Sequence, residues 1–392
     1  MPLSSTKILY NNAISYNPTR VCAFVKINFV RLQNFRNIEF AEVDFGADSI
    51  WIRGDNAQGK TNLLEAVGLL PALRSFRTAK NSAMIRHGAK EAKILISLDL
   101  ENSGSAEVEI SLGEKRSAKI DAEEAKYSDY IGRFPAVAAT NDDISLVRGS
   151  PEGRRRQIDM FASSLDAGYM AALRRFHAAL CGRNALLRQQ CGDDAAFGAF
   201  ESEMAKAAAD IYAGRKKFLD MIAEAGERFY AELSGERGER AKLRLRPNCD
   251  YSDAASYCEL LAQTRPADAA RQTSSSGPHR DDFSLELNSK SAKLYASEGQ
   301  QRCVALAFRL AQFEIVKRVS GIEPVLLCDD VLAELDSGRR AAFWRCASPM
   351  AQLIATSTSY PPETAGAGGA RAWKIINAVE AKFFEADGKF AG

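Results

Sequence analysis

The chain of 392 residues carries 52 Lys and Arg against 50 Asp and Glu, which gives a formal net charge of +2 at pH 7. Apolar residues make up 46% and charged residues 26% of the chain, as in an ordinary globular protein. This balance excludes a uniformly basic nucleic-acid coat but permits a local basic patch. The 8 cysteines include no CxxC pair, which argues against a zinc cluster or a disulfide framework.

The first 24 residues are polar, with chain breakers at Asn11, Asn12, Asn17 and Pro18. They lack the apolar stretch of a secretory signal, and no run elsewhere approaches the ~20 apolar residues that span a bilayer. We therefore expect a cytoplasmic protein without membrane contact. Segment 1–24 is predicted to be a disordered extension or a mistaken start, because such polar termini are usually unstructured. The alternative is an extension that docks on the rest of the protein.

Hydrophobic periodicity predicts a mixture of strands and helices, with a helical pair in the middle of the chain. A long helical stretch opens at Pro151, and Gly192-Asp193-Asp194 separates it from a second one, so an antiparallel helical pair inserted into an α/β domain is expected. Segment 235–278 is polar and is predicted to be irregular. The predicted strands are 25–30, 41–45, 49–52, 92–100, 106–112, 283–287, 324–328 and 352–355, and the predicted helices are 61–70, 151–180, 195–233 and 299–319.

Residues 54–61 carry the strongest chemical signal. Gly54-Asp55-Asn56-Ala57-Gln58-Gly59-Lys60-Thr61 fits GxxxxGK(S/T) between a predicted strand and a predicted helix. In such a loop, backbone N–H groups surround phosphate oxygens at the N-terminus of a helix. Lys60 would reach the β- and γ-phosphates of ATP, and the Thr61 hydroxyl would ligate Mg²⁺. A chance glycine turn before a helix is the alternative.

A second signal is the apolar strand that ends in Asp329-Asp330. A carboxylate at the C-terminal end of such a strand holds magnesium in many ATPases. Asp329 would hold the ion through water, and Asp330 would orient or deprotonate the attacking water, which makes Asp330 the candidate catalytic residue. An acidic turn after a strand is common by itself, and the phosphate loop upstream strengthens the functional interpretation.

Ser297-Glu298-Gly299-Gln300-Gln301-Arg302 precedes a predicted helix. A hydroxyl, a glycine and free N–H groups at a helix start form a second anion site, although an ordinary helix cap would look the same. Only one helix and one strand separate this segment from Asp329. In this order of elements the segment resembles the signature motif of ABC-type ATPases. There, the signature of one subunit closes over the γ-phosphate bound by another.

Taken together, the motifs resemble the RecF family over about residues 25–358, in the family's order. The further motifs are Asn34-Phe35-Arg36-Asn37, Asn62-Leu63-Leu64-Glu65-Ala66, Ser75-Phe76-Arg77-Thr78, Gly149-Ser150-Pro151 with Arg154-Arg155-Arg156, Gly277-Pro278-His279-Arg280-Asp281-Asp282, and Glu334-Leu335-Asp336. Segment 277–282 is more specific than any generic ATPase motif. It separates RecF proteins from SMC-like relatives, whose arms are longer.

The resemblance implies an α/β protein, an ABC-type ATPase head (a P-loop NTPase) with an inserted helical arm. Lobe I would comprise residues 25–150 and 320–392, and residues 151–319 would form the arm and the signature-containing lobe II. ATP would drive a homodimer that clamps DNA near single-strand gaps. With RecR- and RecO-type proteins it would help to load a recombinase, and slow hydrolysis would reset it. The implied DNA partners are single strands and gapped duplexes.

The resemblance also assigns roles to single residues. The implied ATP contacts are Arg36, residues 54–61, Asn62, Ser297, Gly299, Gln300 and Asp336. The implied Mg²⁺ ligands are Thr61, Asp329 and Asp143, the last in the Q-loop region. Thr358 would lie in the switch segment.

Positive charge recurs along the predicted arm at Arg154-Arg155-Arg156, Arg174-Arg175 and Lys216-Lys217. Contact with DNA phosphates is one interpretation, and a solvated helix face is the other. His279 is a candidate catalytic residue or a histidine that holds a loop. The main alternative function is an ABC-type head that acts as an ATP-gated protein-interaction module without DNA contact. A transporter's ATPase subunit does not fit, because the stretch between phosphate loop and signature is too long.

Overall fold

A computed structural model describes residues 23–78, 80–101, 104–235, 238–347, 351–361 and 372–386. The predicted extension, 1–24, lies outside these residues except for its last two. Ala23 and Phe24 begin the first strand, and they pair in parallel with Ile322 and Glu323.

The elements are numbered in chain order. The strands are β1 (Ala23–Phe35), β2 (Ile38–Asp44), β3 (Ser49–Arg53), β4 (Ala92–Leu100), β5 (Gly104–Leu112), β6 (Arg116–Ile120), β7 (Glu123–Glu124), β8 (Ala136–Thr140), β9 (Ala241–Arg246), β10 (Asp282–Leu287), β11 (Lys290–Ser291), β12 (Ile322–Glu323), β13 (Val325–Asp329), β14 (Leu353–Ser357), β15 (Lys374–Val379) and β16 (Lys382–Glu385). The α-helices are α1 (Lys60–Val67), α2 (Tyr127–Tyr130), α3 (Ser145–Arg148), α4 (Pro151–Leu165), α5 (Ala167–Arg188), α6 (Asp194–Ser234), α7 (Ala254–Arg271), α8 (Ala292–Tyr295), α9 (Glu298–Ser320) and α10 (Ser337–Cys346). Among the described residues, none of the helices combines the length and the apolar composition needed to cross a bilayer.

A mainly parallel sheet, in the order β16-β15-β3-β14-β13-β8, positions the candidate site. β15, β3, β14, β13 and β8 run parallel, and only β16 runs against its neighbour. β13 and β14 are buried along their whole length, as expected of strands covered on both faces. Because the C-terminal ends of parallel strands meet at one edge, the segments after β3, β8, β13 and β14 converge there.

The parallel sheet lies between two hydrophobic cores. Alternate residues such as Ile52 and Leu327 pack toward α1 and a second, largely antiparallel sheet, in the order β12-β1-β4-β5-β6-β7 with β2 on β1. The residues between them, such as Leu326 and Ala355, pack toward α9 and the helical arm. Strands from both ends of the chain therefore share one sheet, and the residues between them build the arm and a small sheet, β11-β10-β9.

α5 and α6 form the helical arm. They are antiparallel, since Arg175 reaches Asp210 whereas Arg183, further along α5, reaches Glu201. The first predicted helical run is divided by Asp166, whose backbone is extended and whose side chain accepts a hydrogen bond from an N–H at the start of α5. This cap ends α4 and begins α5.

Segment 235–278, predicted to be irregular, contains β9 and the 18-residue helix α7. The reason for the miss is physical. α7 buries only Tyr257, Leu261 and Asp268, and Pro266 lies within it, so its sequence shows almost no apolar period.

Candidate functional site

Residues 54–59 form the loop between β3 and α1, with Asp55, Asn56 and Ala57 exposed at its rim, and Lys60 and Thr61 begin the helix. Lys60 is only 4% exposed, and its Nζ donates to the carbonyl oxygens of Gly54 and Asp55 at 2.6 and 2.9 Å. The ammonium is thus folded over the loop at the start of α1. A cation beside backbone N–H groups at a helix N-terminus is the arrangement that binds phosphate.

The β15–β16 hairpin packs against this loop. A Cβ on Gly54 would lie 2.3 Å from the carbonyl oxygen of Ala378, so only glycine fits there. The Glu380 N–H donates to Gln58 Oε1. Glu380 and Ala381 have φ of 50° and 59°, both in the left-handed region that a tight hairpin turn requires. The hairpin therefore fixes the shape of the phosphate loop, and no sequence pattern had indicated it.

Asp329 and Thr356 lie beside Thr61, because β14 pairs with β3 and β13 pairs with β14, so that the three parallel strands end at one edge. Asp329 Oδ1 accepts hydrogen bonds from Thr61 Oγ1 at 2.9 Å and from Thr356 Oγ1 at 2.8 Å. Burial raises the pKa of Asp329, and these two hydrogen bonds oppose the rise. Carboxylate and hydroxyl oxygens are the hard donors that Mg²⁺ prefers, so Thr61 and Asp329 fit that ion. Thr356 was not among the predicted site residues. It directly follows the predicted strand 352–355, so the convergence of parallel strand ends could have indicated that it lies in the site.

Asp330 stands next to this pair with a left-handed backbone, φ 54°. Its N–H donates to Thr356 Oγ1 at 3.0 Å, which fixes the residue, whereas its carboxylate accepts no hydrogen bond from a described residue. A held backbone with an uncommitted carboxylate suits a residue that must orient water. Thr358, the predicted switch residue, is exposed directly after β14.

The carboxylate of Asp143 is engaged elsewhere. Its Oδ2 accepts the Thr140 N–H at 2.8 Å, and its Oδ1 accepts Arg309 Nη2 at 2.6 Å. With a guanidinium already paired to it, this carboxylate has little capacity left for a cation. Its assignment as a metal ligand stays a prediction that these contacts do not favour. They show instead that Asp143 ties the turn after β8 to α9.

Arg36 is held beside the loop by Glu65, a fully buried carboxylate in α1. Arg36 Nε and Nη2 donate to the two oxygens of Glu65 at 2.9 and 2.6 Å. Arg77 reaches Glu65 at 3.1 Å and Asn62 Oδ1 at 2.8 Å. Two guanidinium groups therefore lie next to the phosphate loop. Glu65 was not among the predicted site residues, although its place one helical turn after Thr61 was a usable signal.

Ser297 and Asp336 each begin a helix and are both exposed. Ser297 Oγ accepts the Gln300 N–H at 3.3 Å, and Gln300 Oε1 accepts the Ser297 N–H at 2.8 Å, a complete capping box. Asp336 accepts the Arg339 N–H at 2.9 Å, and the Arg339 guanidinium lies over Gly299. The predicted signature and Asp336 are thus neighbours, and the exposed side chains of Ser297 and Asp336 remain accessible to a second molecule.

Segment 277–282 is hydrogen-bonded to α4, to α6 and to the loop after β9. Asp281 is fully buried and accepts hydrogen bonds from Arg215 Nη1 at 2.7 Å and from the Asn248 N–H at 2.9 Å. Asp282 holds Arg154 through two hydrogen bonds of 2.8 Å. The most specific motif of the sequence is therefore a structural joint. Arg154, predicted to contact DNA, is buried in it.

His279 belongs to the same joint. Its Nε2 lies 3.1 Å from the carbonyl oxygen of Ser274, and its ring lies 5.7 Å from that of Phe176. Burial lowers the pKa of His279 to about 4, so the ring is neutral at pH 7. Of the two interpretations of this histidine, these contacts favour local packing over catalysis.

The parallel sheet, the phosphate loop and the carboxylate strand beside it define the head of an ABC-type P-loop ATPase. Residues 26–361 match the model of the RecF/RecN/SMC N-terminal domain. The DNA replication and repair protein RecF of Synechococcus sp. (strain JA-3-3Ab) is 34% identical over 346 residues, which cover 85% of this chain and 91% of that protein. That of Geobacillus kaustophilus (strain HTA426) is 33% identical over 342 residues, or 84% and 91%. The chain belongs to the RecF family.

Solved structures agree with this assignment. The recombination mediator protein RecF–ATP of the RecFOR pathway superposes with a TM-score of 0.83 at 25% identity, covering 93% of this chain and 98% of that one. The Smc head domain of Pyrococcus furiosus shares the fold with a TM-score of 0.51 at 18% identity. The predicted fold class, an ABC-type head with an inserted helical arm, is confirmed.

Proposed function

We propose that this protein is an ATP-dependent DNA-binding protein of recombinational repair and replication restart, which acts in the cytoplasm as a slow ATPase switch. ATP drives two chains to dimerise, the dimer clamps DNA near single-strand gaps, and RecR- and RecO-type partners join it to load a recombinase. Hydrolysis resets the dimer. The relatives are DNA replication and repair proteins, which supports the repair role. The solved RecF–ATP structure supports the choice of ATP as the bound nucleotide.

The single observation that carries this proposal is a nucleotide site divided into two kinds of surface. Lys60, Thr61 and Asp329 converge within one chain. Ser297 and Asp336 lie at the starts of two helices, and their own side chains are exposed. In this proposal lobe I, residues 25–150 and 320–392, holds the first part, and residues 151–319 carry the arm and the signature.

Each residue then has a chemical task. Lys60 exchanges its loop carbonyls for the β- and γ-phosphates, where its charge offsets that of the anion. Thr61 would ligate magnesium and Asp329 would hold the ion through water, and the bound ion would neutralise phosphate charge. Asp330 orients the attacking water through its uncommitted carboxylate. Ser297, Gly299 and the start of α9 offer donors to the phosphate held by the partner chain.

The test measures ATP-dependent dimerisation by light scattering and, in parallel, the binding of gapped DNA. The wild type should dimerise with ATP and bind gapped DNA. Ser297→Arg should bind ATP with unchanged affinity and remain monomeric, since the larger side chain lies where the facing phosphate must come. Asp330→Asn should accumulate the dimer, because hydrolysis falls while ATP binding persists. Ser252→Arg, an exposed serine just before α7, is the matched control and should dimerise as the wild type does.

If Ser297→Arg dimerised at the same ATP concentration as the wild type, the proposal of a divided nucleotide site would be refuted. The alternative, an ATP-gated protein-interaction module, predicts the same dimer without DNA contact. A gel shift on gapped DNA with and without ATP separates the two, because the alternative predicts no shift in either condition.

A further inference from the structure

Exposed apolar side chains flank both halves of the divided nucleotide site. Leu294 and Tyr295, which are 72% and 70% exposed, end α8 three and two residues before Ser297. This pair is the signature knob. Val379 and Phe384, which are 54% and 55% exposed, belong to the β15–β16 hairpin that packs against the phosphate loop. This second pair is the hairpin patch. Apolar side chains gathered on an exposed surface are typical of a site that another molecule covers.

The signature knob is held in place by α9. Gln301 of this helix is buried, and its Nε2 donates to the carbonyl oxygens of Ala292 and Ala296, both at 3.0 Å. Its Oε1 accepts a hydrogen bond from Arg148 Nε at 2.5 Å. The single turn of α8 is therefore fixed against the signature helix, while its two large apolar side chains stay exposed. A side chain whose backbone is already ordered loses less entropy when a partner covers it.

The hairpin patch lies on one face of its two strands. Phe384 pairs with Asn377, two residues before Val379, so the two apolar side chains share a face. Ala378 and Phe383 point to the opposite face and pack into the hydrophobic core that contains α1. The hairpin thus stabilises its own chain with one face, and the face that carries the hairpin patch is accessible to another molecule.

The two surfaces lie toward opposite edges of the parallel sheet. β16 forms one edge of the sheet, and β8 forms the other. The signature knob is on the β8 side, because α8 contacts α3, which follows β8. Six strands with a spacing of about 4.8 Å place the two edges about 24 Å apart, so the knob does not reach the patch of its own chain.

A second copy of the chain removes that separation. In the proposed dimer the signature of one chain closes over the phosphate loop of the other, and the hairpin patch adjoins that loop. Two-fold symmetry then offers each knob a patch and repeats the contact on both sides of the axis. The chain carries two apolar surfaces, one at each half of the same site. This arrangement favours a second copy as the occupant over an unrelated protein.

We propose that the signature knob of each chain docks on the hairpin patch of a second copy when ATP joins the two chains. The inference rests on the proposed ATP-driven dimer and assigns the residues that make an apolar contact beside each shared nucleotide. Tyrosine suits such a place, because aromatic side chains are enriched at protein interfaces and contribute a large contact area. The contact adds affinity that salt does not screen, unlike the contacts to phosphate.

The first experiment determines whether the two surfaces meet between chains. Full-length chains with Tyr295→Cys are mixed with chains that carry Val379→Cys and are treated with a short bismaleimide, with and without ATP. A covalent dimer should form in the mixture with ATP and should fall to background without it. Each variant alone is the matched control. It contains the native cysteines, among them the exposed Cys181, but only one half of the introduced pair.

The second experiment measures the dissociation constant of the ATP-bound dimer by light scattering over a range of protein concentrations. Tyr295→Ser and Phe384→Ser should each raise this constant at least about tenfold, because two-fold symmetry removes the contact twice in every dimer. Combining both substitutions should add little, as expected of residues that touch each other. Tyr295→Phe keeps the ring and should stay within about threefold of the wild type. Lys293→Ser, at the exposed neighbour, should change the constant by less than about twofold.

The outcomes separate this inference from the proposed function. The melting temperature and the ATP affinity of each variant should equal those of the wild type, because the substituted side chains are exposed. If the wild type did not dimerise with ATP, the proposed function itself would fail. If it did, but the mixture cross-linked no more than the single variants and Tyr295→Ser dimerised normally, the contact between knob and patch would be wrong while the dimer stood. Normal dimerisation with lost binding of a RecR- or RecO-type protein would assign the knob to a different partner and would also overturn the proposal.

Discussion

Arg154 and Arg156 lie two residues apart in α4, yet they belong to two different groups of charges. Arg154 is 8% exposed and is bound through two hydrogen bonds to Asp282. Arg156 is exposed and forms no ion pair with a described residue. Residues two apart on a helix point in directions about 200° apart. The arginines at positions 154 and 156 therefore have different surroundings and different partners. The contrast separates a joint that holds the fold from a surface open to a ligand.

The joint is strongest at Arg215 of α6, which is 2% exposed. Its guanidinium donates to both oxygens of Asp159 at 3.0 and 2.8 Å, to Asp281 at 2.7 Å and to the Pro278 carbonyl oxygen at 2.8 Å. Burial acts to lower the pKa of Arg215, but Asp159 and the other partners raise it by more, so the side chain stays charged. α4, α6 and segment 277–282 are thereby held together.

The largest effect is expected from Arg215→Met, which leaves two carboxylates in the joint without their cation. Removing one partner of a buried ion pair costs about 3–5 kcal/mol, so the free energy of unfolding in urea should fall by that amount. Lys216→Met, the exposed neighbour, is the control and should change stability by less than about 0.5 kcal/mol. Equal stability of Arg215→Met and the wild type would show that the joint does not hold the arm.

A smaller effect is expected where the joint reaches the surface. Arg154→Met should cost about 1–3 kcal/mol, because Asp282 loses two charged hydrogen bonds but remains partly hydrated. Arg156→Met should leave stability unchanged, which completes the contrast within one helix. Urea unfolding of both variants is the measurement. A double-mutant cycle with Asp282→Asn would isolate the pair, and a coupling free energy near zero would contradict it.

The sequence was sufficient for features that depend on local pattern or on strand order. The phosphate loop is a contiguous motif, and the meeting of Thr61 and Asp329 follows from the convergence of parallel strand ends. The β15–β16 hairpin was not predictable in the same way. Its turn residues are Glu380 and Ala381 rather than the Asn-Gly or Asp-Gly pairs that indicate such turns.

Partner choice for charged side chains could not be predicted either. Asp143 pairs with Arg309 of α9, and Arg36 with Glu65 of α1, across separate elements of the fold. Helical spacing predicts which face a residue occupies, but it does not predict which distant charge arrives there. The same limit explains why Arg154 and Arg156 looked alike in sequence.

The smallest effect concerns the pH dependence of the joint and rests on His279, whose buried ring has a pKa lowered to about 4. An exposed histidine in the unfolded chain titrates near pH 6.5, so between about pH 6.5 and 4 only the unfolded chain binds the proton. The stability associated with the neutral ring is therefore complete above pH 6.5 and is lost as the pH falls toward 4.

Between pH 7.5 and 5, the wild type should lose about 1–2 kcal/mol more stability than His279→Gln does. His177→Gln, at an exposed histidine of α5, should follow the wild type. Urea unfolding at both pH values tests this, and parallel curves for the wild type and His279→Gln would mean that the ring is hydrated in the folded protein.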